Sequence, residues 1–195
     1  KDFMKKANND SITVEHGYMK RANGTYQTPT ALHAKKLTYG SGVSGKYTER
    51  MHTHPGIHGG TPYFSAEDIS VMYNMYNNGH MDDPLTFRYG IASPFGSYML
   101  QITDEDKFKA FANAYDLKNT YEELKNAMKK DMLFRGSPTE ITQSFLKFIT
   151  GQDAGLLMIE GKMDINAAET DPSIEIDWNV KTIVNGEMKS NNCDE

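Results

Sequence analysis

Apolar and polar residues alternate over residues 11–20, with Ile12, Val14, His16 and Tyr18 on one face and Thr13, Glu15 and Gly17 on the other. That two-residue period predicts a strand. Asn23-Gly24 follows and predicts a type I′ hairpin, with residues 25–28 as the return strand. Glu15 then sits mid-strand, opposite the apolar row. Residues 2–8 read as a short helix and Gly40 to Gly45 as a flexible loop. Tyr47 to His54 predicts another strand, one row of which carries Thr48, Arg50, His52 and His54. Pro55 ends it, having no N–H to give a ladder. Ser65 is placed as the N-cap of a helix over residues 66–78, where Ile69, Met72, Tyr73 and Tyr76 recur at helical spacing as a core stripe.

Two strands are expected near 86–92 and 97–103, separated by Ser93-Pro94-Phe95-Gly96, a turn by composition. Asp104 to Asp106 suit the positive end of a helix whose stripe is Phe108, Phe111, Ala112 and Tyr115. A further helix runs near 119–132. Ser137-Pro138-Thr139-Glu140 combines an N-cap Ser, Pro at the first helical position and Glu two residues after it, opening a helix that ends near Gly151. Leu156–Ile159 and Ile174–Val184 read as late strands, and residues 185–195 as a polar, loose tail. The sum predicts a mixed α/β fold: a central sheet flanked by helices, a helical insertion near 104–150 and additional C-terminal strands. At 195 residues, one domain over 1–184 with a tail is expected.

Charge narrows the partners. A formal net charge of −5 argues against a nucleic-acid binder, which needs a basic face. The run from Lys125 to Lys130 reads as a solvated helix face. No apolar run approaches a membrane span. Cys193 is the single cysteine, so an internal disulfide and a Cys-rich zinc site are both excluded. The chain opens on Lys1 without a signal-peptide pattern, as a piece of a longer polypeptide would.

The chemistry concentrates in His52-Thr53-His54-Pro55 and Ser65-Ala66-Glu67-Asp68. On a strand, residues i and i+2 share a face, so both imidazoles can reach one ion. A helix starting at Ser65 brings Asp68 back against them in its first turn. Two His and one carboxylate leave a tetrahedral Zn²⁺ with one open position, the arrangement of catalytic zinc. Each half alone has an ordinary structural reading: a pair of surface or core histidines, and a Ser-x-x-Asp capping box. Glu15 likewise reads as an exposed strand carboxylate. His58, in the Gly-rich stretch Gly56 to Pro62, is either a loop histidine or a fourth ligand or substrate contact. His16, His33 and His80 have no partner visible in the sequence.

His-Thr-His-Pro followed by Ser-Ala-Glu-Asp resembles the HxHP…SxxD signature of the JAMM (JAB/MPN+) metalloproteases. The resemblance spans roughly residues 11 to 103. It implies a JAMM-like sheet with Zn²⁺ held by His52, His54 and Asp68, and Ser65 donating to the oxyanion. It also implies an upstream general acid/base, for which Val14-Glu15-His16-Gly17-Tyr18 offers Glu15. The ten residues between His54 and Ser65 make a longer gap than is usual in eukaryotic members. The short Glu-x-Gly form is more similar to bacterial JAB-type domains of secreted Rhs-like polymorphic toxins. The implied activity is hydrolysis of a peptide or isopeptide bond by a water whose pKa the metal lowers to about 7. The implied setting is an effector secreted or delivered into a target cell, otherwise cytoplasmic, with a cognate immunity protein as a possible partner. Two other readings stand beside it: a non-catalytic zinc-binding interaction domain of the same fold, and a zinc-dependent nuclease, which the acidic balance disfavours.

Overall fold

The computed structural model describes residues 1–9, 11–33, 36–39, 44–55, 61–163, 171, 173 and 175–192. In chain order the elements are α1 (Asp2–Ala7), β1 (Gly17–Arg21), β2 (Tyr26–Gln27), β3 (Ala31–His33), β4 (Lys36–Thr38), β5 (Tyr47–Thr53), α2 (Ala66–Asn77), β6 (Arg88–Ser93) and β7 (Gly96–Ile102). They continue with α3 (Glu105–Ala114), α4 (Glu122–Asp131), α5 (Pro138–Gly151), β8 (Leu156–Lys162), β9 (Asp177–Val184) and β10 (Glu187–Asn192). This is the expected mixed α/β class, with three helices in the 104–150 region.

Eight strands form one sheet in the order β10-β9-β8-β7-β6-β5-β1-β2, while β3 and β4 pair separately. Within the large sheet β5 and β6 run parallel and every other neighbour is antiparallel. A parallel pair needs a crossover, and α2 supplies it. The chain leaves β5 at its C-terminal end, so the first turn of α2 starts beside that end.

Cross-strand partners share a face, which makes the register a map of the two sides. Gly17, His52, Ile91, Tyr98 and Glu160 form one row, and Met19, Arg50, Tyr89, Leu100 and Met158 the next. This face carries the main core. Ile69, Met72, Phe108, Phe145 and Ile149 from the helices are buried in one cluster with Tyr89, Ile91, Leu100 and Met158. The opposite face is covered near β6 by α1, whose Met4 and Ala7 cluster with Ala92. Among the described residues no helix is long and apolar enough to cross a membrane.

Three expectations change. First, β1 starts at Gly17, so Glu15 precedes the strand. Asn9 diverts the chain at residues 11–12, its side chain accepting from Ser11 N–H at 2.9 Å and its carbonyl from Ile12 N–H at 2.9 Å. Such side-chain bonds to nearby backbone compete with a ladder. Second, the hairpin at Asn23-Gly24 is not type I′. Gly24 has φ +84 and Asn23 is not among the positive-φ residues. Arg21 N–H bonds Thr25 O at 2.8 Å, closing a three-residue loop with a left-handed glycine.

Third, the polar tail is a strand. Asn185 (φ 53) and Gly186 (φ 79) make a two-residue turn of the I′ sort, closing Val184 onto Glu187. Met188 then packs against the core, and a buried ion pair from Lys181 Nζ to Glu160 Oε2 at 2.6 Å is completed by Ser190 Oγ at 2.5 Å. The expected strands near 86–92, 97–103 and 156–159 appear as β6, β7 and a longer β8. Position 174, residues 40–43 of the glycine loop, residues 56–60 with His58, and Cys193 lie outside the described residues.

Truncation after Val184 is therefore expected to lower the thermal unfolding midpoint by more than the ~2–4 °C that one kcal/mol costs at this size. An unchanged midpoint in differential scanning calorimetry would show that β10 adds nothing.

Candidate metal centre

His52 is the next-to-last residue of β5 and is buried. The extended path continues past the strand, since Thr53 N–H donates to His16 O at 2.8 Å and His54 N–H to Ala92 O at 2.7 Å. His52 and His54 therefore stay on one face, the one beneath α2. Ser65 caps α2 and forms a full capping box with Asp68. Its N–H and its hydroxyl both donate to Asp68 Oδ2, at 2.8 and 2.7 Å, and its Oγ accepts Asp68 N–H at 3.1 Å. These bonds fix the carboxylate and leave Oδ1 turned to His52.

The three ligand groups converge. His52 Nε2 lies 3.1 Å from His54 Nε2 and 3.0 Å from Asp68 Oδ1, and His54 Nε2 lies 3.6 Å from Asp68 Oδ2. Bonds of about 2.0–2.1 Å at tetrahedral angles separate neighbouring ligand atoms by about 3.3–3.4 Å. The observed spacings, which end on the two different carboxylate oxygens, lie near that value, and one ligand atom from each residue falls within 4.8 Å of the others. Among the described residues this is the group of His, Cys, Asp and Glu side chains placed to hold a metal ion.

The outer contacts agree with that use. His54 Nδ1 sits 3.2 Å from Thr61 O and 3.0 Å from Thr61 Oγ1. A carbonyl only accepts, so Nδ1 carries the proton and Nε2 keeps its lone pair for a metal. His52 Nδ1 is buried without a hydrogen-bond partner. The His52 ring packs 5.8 Å from that of Tyr89. Two imidazoles and a carboxylate thus face each other; without a cation, imidazole N–H groups can bond Asp68, and a metal ion would take the place of those protons.

The electrostatics are those of a buried, strongly coupled triad. Burial works against ionised Asp68, yet the charges and hydrogen bonds of His52 and His54 hold it well below the usual carboxylate range. Burial pushes His52 down against the opposing pull of Asp68. Burial also opposes charge on His54, but Asp68 and Glu15 outweigh it and the net shift is upward.

Glu15 approaches the triad from the segment just before β1. Gly17 pairs with His52, and the Thr53 to His16 bond continues that register one step. Glu15 then falls opposite His54 on the same face. Among the described residues it makes no hydrogen bond or ion pair. Burial raises its pKa to about 7; His54 partly offsets this and Asp68 adds to it. Gly17 is needed here for closeness, because a Cβ would stand 2.9 Å from Met51 O and 3.0 Å from the Tyr39 hydroxyl.

The structure thus brings His52, His54 and Asp68 around one point, ties Ser65 to Asp68, and places Glu15 where the charges of His54 and Asp68 act on it. Sequence reasoning missed Thr61, which orients His54, and Tyr63, whose phenol is raised by burial and by the charge of Asp68. It also missed the surroundings of Arg50. That guanidinium lies over the rings of Tyr39 and Tyr89, at 5.0 and 5.7 Å, with Nε buried and unpartnered. Neither Thr61 nor Tyr63 belongs to a periodic pattern that could have flagged it. His16 contributes backbone bonds and His80 Nδ1 lies 3.3 Å from Gly45 O, so neither joins the cluster.

Protein purified without chelator is expected to hold one metal ion per chain, and the His52→Ala/His54→Ala double variant none, by elemental analysis. Binding requires both imidazoles neutral. Because the His54 pKa lies above its ordinary value in the metal-free protein, protons compete increasingly as pH falls through that raised value. Affinity measured by chelator competition should weaken steadily from pH 8 to pH 5. A flat profile, or metal retained by the double variant, would rule out this ligand set.

No family model, curated protein or solved structure matches the chain. The functional reading therefore rests on the site itself and on its motif.

Proposed function

We propose that the chain is a zinc-dependent peptidase or isopeptidase, as its resemblance to the JAMM metalloproteases implies. The observation that carries this reading is the place of Glu15: a carboxyl with a pKa near neutrality, opposite His54, beside three converging metal ligands. Two imidazoles and a carboxylate suit zinc, a borderline ion that accepts mixed nitrogen and oxygen donors. Bound at His52, His54 and Asp68, zinc supplies Lewis acidity toward the substrate carbonyl and the attacking water.

The chain's own groups do the rest. Glu15 takes a proton from the attacking water and delivers it to the leaving nitrogen, a role for which a pKa near the working pH is best. Thr61 holds His54 in the tautomer that leaves Nε2 free. Ser65 fixes Asp68 through the capping box. The buried ring of Phe64 lies 5.9 Å from that of Tyr89, which in turn packs against the His52 ring, so this side of the site is apolar.

One observation favours the second reading, a non-catalytic metal-binding interaction domain. The Ser65 hydroxyl hydrogen is already given to Asp68 at 2.7 Å. Donation to an oxyanion requires that hydroxyl to turn away from its carboxylate partner.

Glu15→Gln separates the two readings. The amide has nearly the same shape but cannot accept a proton. Metal content and fold should be retained, while single-turnover cleavage of a peptide substrate falls by about 10²–10⁴-fold. In the parent protein, kcat/KM should rise as pH increases through about 7, where Glu15 ionises. Cleavage within a few-fold of the parent would place the base elsewhere. Loss of zinc in Glu15→Gln would make Glu15 a ligand.

A further inference from the structure

The segment between α4 and α5 leaves two large apolar side chains in solvent, one of them against Tyr63. Leu133 is 56% exposed and Phe134 is 42% exposed. Single exposed apolar residues are ordinary, but this pair is adjacent and firmly held. Met132 just before it is buried, and its N–H donates to Met128 O at 2.9 Å. Leu133 N–H donates to Ser144 Oγ at 2.8 Å.

The Phe134 ring meets Tyr63 edge-on, with centroids 5.9 Å apart at 70°. On its other side Tyr63 lies 6.1 Å from the ring of buried Phe145. The span that carries Tyr63 also carries the site. Thr61 holds His54, Thr142 Oγ1 donates to Pro62 O at 3.2 Å, and Ser65 holds Asp68. Residues 61–65 therefore join the metal ligands to the apolar ledge, and α5 pins that span from behind.

We propose that Leu133, Phe134 and Tyr63 form a specificity subsite that receives a large apolar side chain of the substrate, close in its sequence to the bond that is cut. This rests on the peptidase reading and names the substrate class: a peptide segment with an aromatic or branched aliphatic residue near the scissile amide. Two features favour that occupant over a second copy of the chain. Phe134 meets Tyr63, which feels the charge of Asp68 and sits between the residues that hold His54 and Asp68. The ledge also consists of a few side chains, far short of the roughly 800 Å² per partner that a stable dimer buries. An anchor already fixed by Ser144 and Tyr63 loses little freedom on binding, which favours affinity and selection.

The test uses the full chain carrying Glu15→Gln, loaded with zinc, and a pool of random octapeptides. Bound peptides should be enriched in Phe, Tyr, Leu or Met at one position. Leu133→Ser/Phe134→Ser should erase the enrichment and weaken those peptides about 10- to 30-fold, the usual effect of removing a central apolar anchor. Zinc content and unfolding midpoint should stay unchanged, and Phe134→Leu should keep most of the selection. Enrichment that survives in the double variant, the absence of apolar enrichment, or the absence of peptide binding would overturn the subsite. A change of oligomeric state in the double variant without a change in peptide selection would also overturn it, and assign the ledge to self-association. Selected peptides that bind but that the zinc-loaded parent does not cleave would leave the subsite standing and overturn the peptidase reading alone. Cleavage of the pool without preference would overturn the subsite alone.

Discussion

Three lone-pair donors aimed at one another in a buried place are costly unless something positive sits among them. His52, His54 and Asp68 come together in such a place, and in the metal-free chain imidazole protons shared with Asp68 supply the positive charge. The charge pattern without a cation shows the strain of the arrangement. Asp68 is held ionised, His54 is drawn toward protonation and His52 toward neutrality. A divalent cation resolves all three demands together. The site and its neighbours are arranged around this constraint.

The fold meets it with one strand, one helix and one crossover. The parallel pairing of β5 with β6 forces the chain across the sheet face, and α2 is that crossing. Its first turn must then start near the end of β5, where the two imidazoles lie. The capping box of Ser65 and Asp68 serves two ends at once: it satisfies orphan N–H groups at the start of α2 and it aims the carboxylate. The segment leading into β1 brings Glu15 to the other flank, next to the pairing of Gly17 with His52 and the bond from Thr53 N–H to His16 O. The second half of the chain is tied in through Thr142 and Phe145, which hold the 61–65 span from α5.

The parts of the site that local chemistry decides were legible in the sequence. The i, i+2 spacing of His52 and His54, the stop at Pro55 and the N-cap at Ser65 each act over a few residues. So do the turn residues 93–96 and the Ser137 capping box, and all of them are found where the pattern placed them. What was lost depended on competing local bonds or on distance along the chain. Alternation over residues 11–16 has the period of a strand, but the bonds of Asn9 to Ser11 and Ile12 divert the start of that stretch, and β1 begins only at Gly17. The return strand after Val184 was hidden by its polarity, although Asn185-Gly186 carried the same turn signal read at Asn23-Gly24. The bond from Thr142 to Pro62 spans eighty positions, and no pattern in a single sequence announces it.

The most direct test of the three-ligand site is the visible spectrum of the metal-free protein titrated with Co²⁺, which reports coordination number. Four-coordinate binding by His52, His54, Asp68 and one further ligand predicts intense visible bands that saturate at one Co²⁺ per chain. Asp68→Asn, folded to the same extent by circular dichroism, should lose those bands or bind far more weakly. Weak six-coordinate bands in the parent, or an unchanged spectrum in Asp68→Asn, would contradict a site built from this strand and this helix start.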